Sequence, residues 1–144
     1  MNPLKRIYCN QYYELKAKGK AHMAMSMGTK LAGIALVFVT LGLFYFLLGA
    51  WPGFNDGFDD LSKDLFGRRS GRLVGKFVAG LFFLVCYFLV RFTLGRKSSY
   101  ERTIAEFDAL DQATREGISK SGLIIFVASV VIFGVGIVTG LVGS

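Results

Sequence analysis

Histidine is almost missing from these 144 residues, with His22 alone, and cysteine is limited to Cys9 and Cys86. Haem, zinc and redox centres draw on several imidazole or thiolate ligands, so a single His and two distant Cys leave such centres without a donor set. Cys9 falls in a basic flank and Cys86 in an apolar run, so the two are not expected to pair. Neither has the base and orienting group of a thiol nucleophile beside it. Phosphate-cradling glycine loops, catalytic triads, zinc-finger spacings, helix-turn-helix patterns and RNP-type runs are also missing.

The deeper lack is of charge over long stretches. Leu31 to Ala50 is twenty residues without an ionisable group other than Tyr45, and nothing after Lys120 carries a formal charge. At about 1.5 Å per residue, either block crosses about 30 Å of hydrocarbon as a helix, which satisfies its own backbone where lipid cannot. A third block, Phe77 to Val90, holds fourteen uncharged residues between Lys76 and Arg91. Those two cations can lay their stems along the helix and lift their heads to the interfaces, which lengthens the crossing to Leu73 through Leu94.

The fold class expected is therefore all-α, an integral membrane protein with three transmembrane helices plus short amphipathic juxtamembrane and loop helices. The order is a basic flank at 1–30, spans at 31–50, 73–94 and 122–142, an outer loop at 51–72 and a helical loop at 95–121. No formal charge sits near a midplane. The polar residues there are Thr40, Cys86, Ser129 and Thr139, a poor basis for a proton relay or coupled antiporter. A cleavable leader is not expected, because thirty residues precede the first block and that block is long for one.

Seventeen Lys and Arg against ten Asp and Glu give a net charge of +7. In a water-soluble chain this would prompt a search for nucleic acid. Here the cations flank apolar blocks, where they set orientation and meet anionic lipid, and no nucleic-acid partner is expected. Segments 1–30 and 95–121 together hold eleven Lys and Arg, against four in 51–72. That imbalance places the amino terminus in the cytoplasm and the carboxyl terminus outside an inner (plasma) membrane. Trp51, Arg68, Arg69, Lys76, Arg91, Arg96 and Lys97 are the membrane-positioning residues in this reading.

The juxtamembrane segments carry helical patterns. Leu4, Tyr8, Tyr12 and Leu15 share a face, with Lys5, Lys16 and Lys20 around it, which predicts an interfacial helix that would expose Cys9 to acylation. Phe54, Phe58, Leu61 and Leu65 predict a short helix against the outer leaflet. Ser98 with Glu101 predicts a capping box, opening a helix whose stripe runs through Tyr100, Ile104, Phe107, Leu110 or Asp111, Thr114 and Ile118.

Two constellations remain. Met23, Met25 and Met27 beside His22 would face one way on an extended chain and suit Cu(I), but fan apart on a helix. Asp56, Asp59 and Asp60 would suit a cation or a Mg2+-bound phosphate. Neither is expected to act, so no metal, cofactor or catalytic residue is assigned. Small residues speak more clearly. Gly71, Gly75 and Ala79 recur every four residues, and Gly136 and Gly140 form a GxxxG with Ser129 and Gly143 on the same stripe. Such spacing lets helix backbones approach, so Gly71, Gly75, Ala79, Ser129, Gly136 and Gly140 are expected to pack helices.

The sequence thus leads to a non-enzymatic structural or accessory subunit of a larger membrane assembly, whose partners are lipids and other subunits or copies of itself. A self-assembling pore or membrane-permeabilising effector is the alternative. An enzyme acting on a lipid or isoprenoid substrate through the outer-loop carboxylates is a third.

Overall fold

A computed structural model describes the backbone of residues 1–66 and 71–143, with the side chains of these residues except 55, 62, 65, 66, 71–76, 78 and 79. Among the described residues there is helix and no strand. Within them six α-helices follow one another: α1 Pro3–Ala17, α2 Ala24–Ala50, α3 Pro52–Phe66, α4 Gly71–Thr93, α5 Lys97–Asp108 and α6 Gln112–Gly143. A 3₁₀ turn, Ala21–Met23, leads into α2.

Local chemistry sets the boundaries. Asn2 caps α1 by accepting the Leu4 N–H at 3.0 Å, and Pro3 takes the first turn, where its missing donor costs nothing. Gly19, at φ 69°, then turns the chain left-handed while the Lys20 N–H reaches back to the Leu15 carbonyl at 2.7 Å. Pro52 forces Trp51 into an extended conformation, which ends α2 and starts α3 in one step.

The start of α6 departs from expectation. The helix expected to run from the Ser98 region through Ile118 breaks at Ala109–Asp111, and a new one begins at Gln112. Asp111 makes the break productive, accepting from the Thr114 N–H at 3.2 Å and the Thr114 hydroxyl at 2.6 Å. The expected capping box is not formed. Arg96 is the N-cap of α5 without a side-chain cap bond, and Glu101 instead lies 3.8 Å from Lys97.

Among the described residues two helices, α2 with the turn before it and α6, are long and apolar enough to cross a membrane. Only 28% and 17% of their most apolar windows is buried, whereas the core helix of a water-soluble domain would be mostly enclosed. Three such helices were expected. The third, expected at 73–94, lies partly outside the residues whose side chains are described, and the apolar stretch described in α4 is Gly80–Thr93.

The long helices differ in direction. α2 and α6 run parallel, with Gly42 beside Gly136 and, one heptad further along both, Gly49 beside Gly143. α4 runs the other way along α2, with Thr40 near Cys86 and Ala32 near Val90. α1 folds back against the first turns of α6, antiparallel to it: Arg6 meets Gly122, Asn10 meets Ser119 and Tyr13 meets Glu116. α3 turns back at the opposite end, where Phe54 and Phe58 set their rings 6.1 and 5.3 Å from that of Phe44.

Candidate functional site: a small-residue seam under a polar cap

The seam between α2 and α6 rests on one small residue every seven positions. On α2 these are Gly28, Ala35, Gly42 and Gly49; on α6 they are Gly122, Ser129, Gly136 and Gly143. A repeat of seven keeps the facing stripe turned to its partner along the helices. A Cβ on Gly42 would stand 2.7 Å from the Ile132 carbonyl oxygen and 2.9 Å from the Phe133 Cα. One on Gly136 would overlap the Gly42 carbonyl, and one on Gly49 the Thr139 carbonyl. The backbones touch, and dispersion along that close contact holds the two helices together. Ala35 and Ser129 are both buried, and Phe38 stacks on Phe133 with centroids 4.9 Å apart.

At the near end the seam admits a third helix. A Cβ on Gly28 would come 2.7 Å from the Tyr8 ring, and one on Gly122 would overlap the Arg6 carbonyl. The small residues of this first rung therefore receive α1 rather than each other. Around that contact lies a polar cap. The Tyr8 hydroxyl pairs with Thr29 at 2.5 Å, Asn10 donates to Ser119 at 3.0 Å, and Arg6 donates to Ser121 at 3.1 Å. Asp108 accepts from the Tyr12 hydroxyl at 2.8 Å and Lys16 at 3.1 Å, with Arg115 at 3.9 Å. Phe107 is buried against the edges of the Tyr12 and Tyr13 rings.

Titration follows this geometry. Burial pushes the Asp108 carboxyl up, but the bonds from Tyr12 and Lys16 and the charges of Lys16 and Arg115 outweigh it and hold the group below its ordinary value. Burial pushes the Cys9 thiol up to about 12 and the Tyr100 phenol also to about 12. Cys9 is fully enclosed. The expected interfacial helix is thus a docked one, with Ile7, Tyr8, Cys9 and Asn10 buried against protein, and acylation of Cys9 loses its premise.

The residues singled out from sequence fall as follows. Ser129, Gly136 and Gly140 all lie on the seam side of α6, Gly140 within 3.1 Å of the Tyr45 carbonyl oxygen measured from a built Cβ. Gly71, Gly75, Ala79 and Lys76 belong to the backbone of α4, but their side-chain surroundings lie outside the described residues, and Arg68 and Arg69 lie outside them altogether. Trp51 is 64% exposed at the far end, while Arg91, Arg96 and Lys97 sit at the near end of α4 and the start of α5. Sequence reasoning missed the α2 half of the seam. The heptad from Gly28 to Gly49 was the signal.

Other constellations dissolve on the helix. Met23 to Met27 straddle the 3₁₀ turn and α2, so their thioethers point to different sides, with Met23 and Met27 exposed. Asp59 pairs with Lys63 at 3.9 Å, and among the described residues no three His, Cys, Asp or Glu side chains gather as a metal site. Within the apolar blocks each Ser and Thr hydroxyl bonds its own helix: Thr40 donates to the Leu36 carbonyl, Ser129 to that of Phe126 and Thr139 to that of Val135. Comparison with known proteins adds no relative: no family model, curated protein or solved structure matches the chain.

Proposed function

We propose that the chain is a three-crossing membrane protein that works by association, as a structural or accessory subunit of a larger membrane assembly. The parallel course of α2 and α6 supports three crossings. α2 leaves the bundle at its far end and α6 starts at the near end, so the chain has to return between them, and the antiparallel α4 makes that return. At 23 residues α4 is about 35 Å long, enough for the task if Lys76 and Arg91 snorkel. The cation count puts the near end, with α1 and α5, in the cytoplasm.

The observation that carries the role is the outer stripe of α4. Phe77, Leu81, Leu84, Phe88 and Phe92 follow one another at helical spacing and are exposed by 72%, 57%, 50%, 49% and 64%. This stripe is aromatic, continuous and uncovered, and aromatic residues fill helix interfaces well. The hydroxyls buried in the apolar blocks are already satisfied on their own helices and the seam is closed backbone to backbone, which leaves packing as the business of the spans.

Cross-linking in native membranes followed by mass spectrometry tests the proposal. The expected result is a distinct membrane protein linked to residues along the α4 stripe and lost from F77A/F88A. Links only between copies of the chain, together with ion flux into liposomes holding the purified protein, would replace it with the pore reading.

A further inference from the structure

Where the near ends of α2 and α4 meet, a cleft of about 340 Å³ opens beside the 3₁₀ turn. Its walls carry His22, Ser26 and Lys30 from one side and Tyr87 and Arg91 from the other, and no carboxylate. Arg91 donates to the Tyr87 hydroxyl at 3.5 Å, and among the described residues neither Lys30 nor Arg91 is ion-paired. Two cations, an imidazole and two hydroxyls converging without a counter-charge form a donor set for a phosphate oxygen cluster.

The height of the cleft identifies the source of the phosphate. Lys30 immediately precedes the apolar block of α2, and Arg91 immediately follows that of α4. The cleft therefore stands at the level where hydrocarbon gives way to headgroups. One turn deeper on α4 than Tyr87 and beside the stripe assigned to a partner, Phe83 is about half exposed. An acyl chain attached to a phosphate in the cleft would lie along it. We propose that this cleft is a binding site for the headgroup of an anionic phospholipid, held between Lys30 and Arg91 with His22, Ser26 and Tyr87 as hydrogen-bonding partners. The inference rests on the membrane-crossing reading above, and it goes further in assigning one lipid class to one site.

Native mass spectrometry of the full chain released from detergent micelles tests it, with phosphatidylglycerol and phosphatidylcholine titrated side by side. Phosphatidylglycerol is expected to remain bound at least tenfold more strongly than phosphatidylcholine, and K30Q/R91Q is expected to lose that preference. The exposed positions of Lys30 and Arg91 allow K30Q and R91Q also to be measured singly, each with helix content checked by circular dichroism. K5Q/K120Q, which removes the same charge away from the cleft, should keep the preference. Equal retention of both lipids, an unchanged K30Q/R91Q, or an equal loss in K5Q/K120Q would overturn the site. Full displacement of the lipid by millimolar inorganic phosphate would also overturn it, in favour of a free-phosphate site. A chain that stays monodisperse without detergent would instead defeat the membrane-crossing reading, so the two failures are distinguishable.

Discussion

α6 and α4 are both rich in large apolar residues, yet they are held in opposite ways. α6 meets α2 through glycine, so that main chain lies on main chain at Gly136 and Gly143. The described half of α4 meets α2 through side chains, with Cys86 and Val90 buried, as is Leu94 just beyond its end, and Gly80 opening onto empty space. Apolar content alone did not decide which helix would be gripped. The positions of the residues without bulk did, because only there can the two main chains come into contact.

The sharpest way to break this contrast is to add bulk to each helix. G136L drives a side chain into the Gly42 backbone and should lower stability in detergent by about 3 kcal/mol, read from chemical denaturation. G80L meets nothing within 4 Å and should leave stability within about 1 kcal/mol of the parent. Equal losses in the two variants would erase the distinction between the helices.

The second effect concerns the cap that α1 lays over the seam. With its thiol pushed up to about 12 and fully enclosed, Cys9 should react with maleimide at pH 8 about a hundredfold more slowly than an exposed thiol. Mass spectrometry over time reads the rate. Rapid labelling of the folded chain would mean that α1 is not docked. The third is N10A, which leaves the buried Ser119 hydroxyl short of its donor and should cost about 1 to 2 kcal/mol while sparing the Phe38–Phe133 contact.

The smallest effect is the response of the cap to acid. The native Asp108 carboxyl lies below the ordinary value of 3.8, so the unfolded chain takes up the proton first. The stabilisation is therefore complete above the ordinary carboxylate range and is lost as pH falls through the native value. Solvent screens this partly exposed group, so the effect is modest. Melting temperatures of the parent and D108N should differ slightly at pH 6 and draw together as pH falls below the ordinary carboxylate value; a constant gap would assign the difference to packing.

Much of this architecture could be read from the chain because long uninterrupted apolar runs and simple helical spacings mark their own helices. Uninterrupted apolar runs announced α2 and α6, and Phe54 and Phe58 announced α3 by spacing alone. The GxxxG at Gly136 pointed to one side of the seam, but its partner on α2 has seven-residue spacing and looks like scattered glycine until the two stripes are set side by side. The docking of α1 was hidden for a different reason. A face of Leu4, Tyr8, Tyr12 and Leu15 reads equally well against lipid or protein, and the choice rests on distant partners, Thr29 and Ser119, that local pattern does not reveal. The break before α6 escaped notice because Asp111 fell on the continuing stripe of a longer helix, where its role as a cap was masked.

The joining of the second helix to the sixth sets an order of events during synthesis. Ribosomes deliver the chain from its amino end, so in the proposed membrane-crossing arrangement α2 would enter the bilayer with the glycine face at Gly42 and Gly49 bare and stay so while α3, α4 and α5 are made. Only the arrival of α6 gives that face its mate. A ribosome that stalled before Gln112 would leave behind a span with an open, adhesive groove, which makes the last helix the one that decides whether the product is finished.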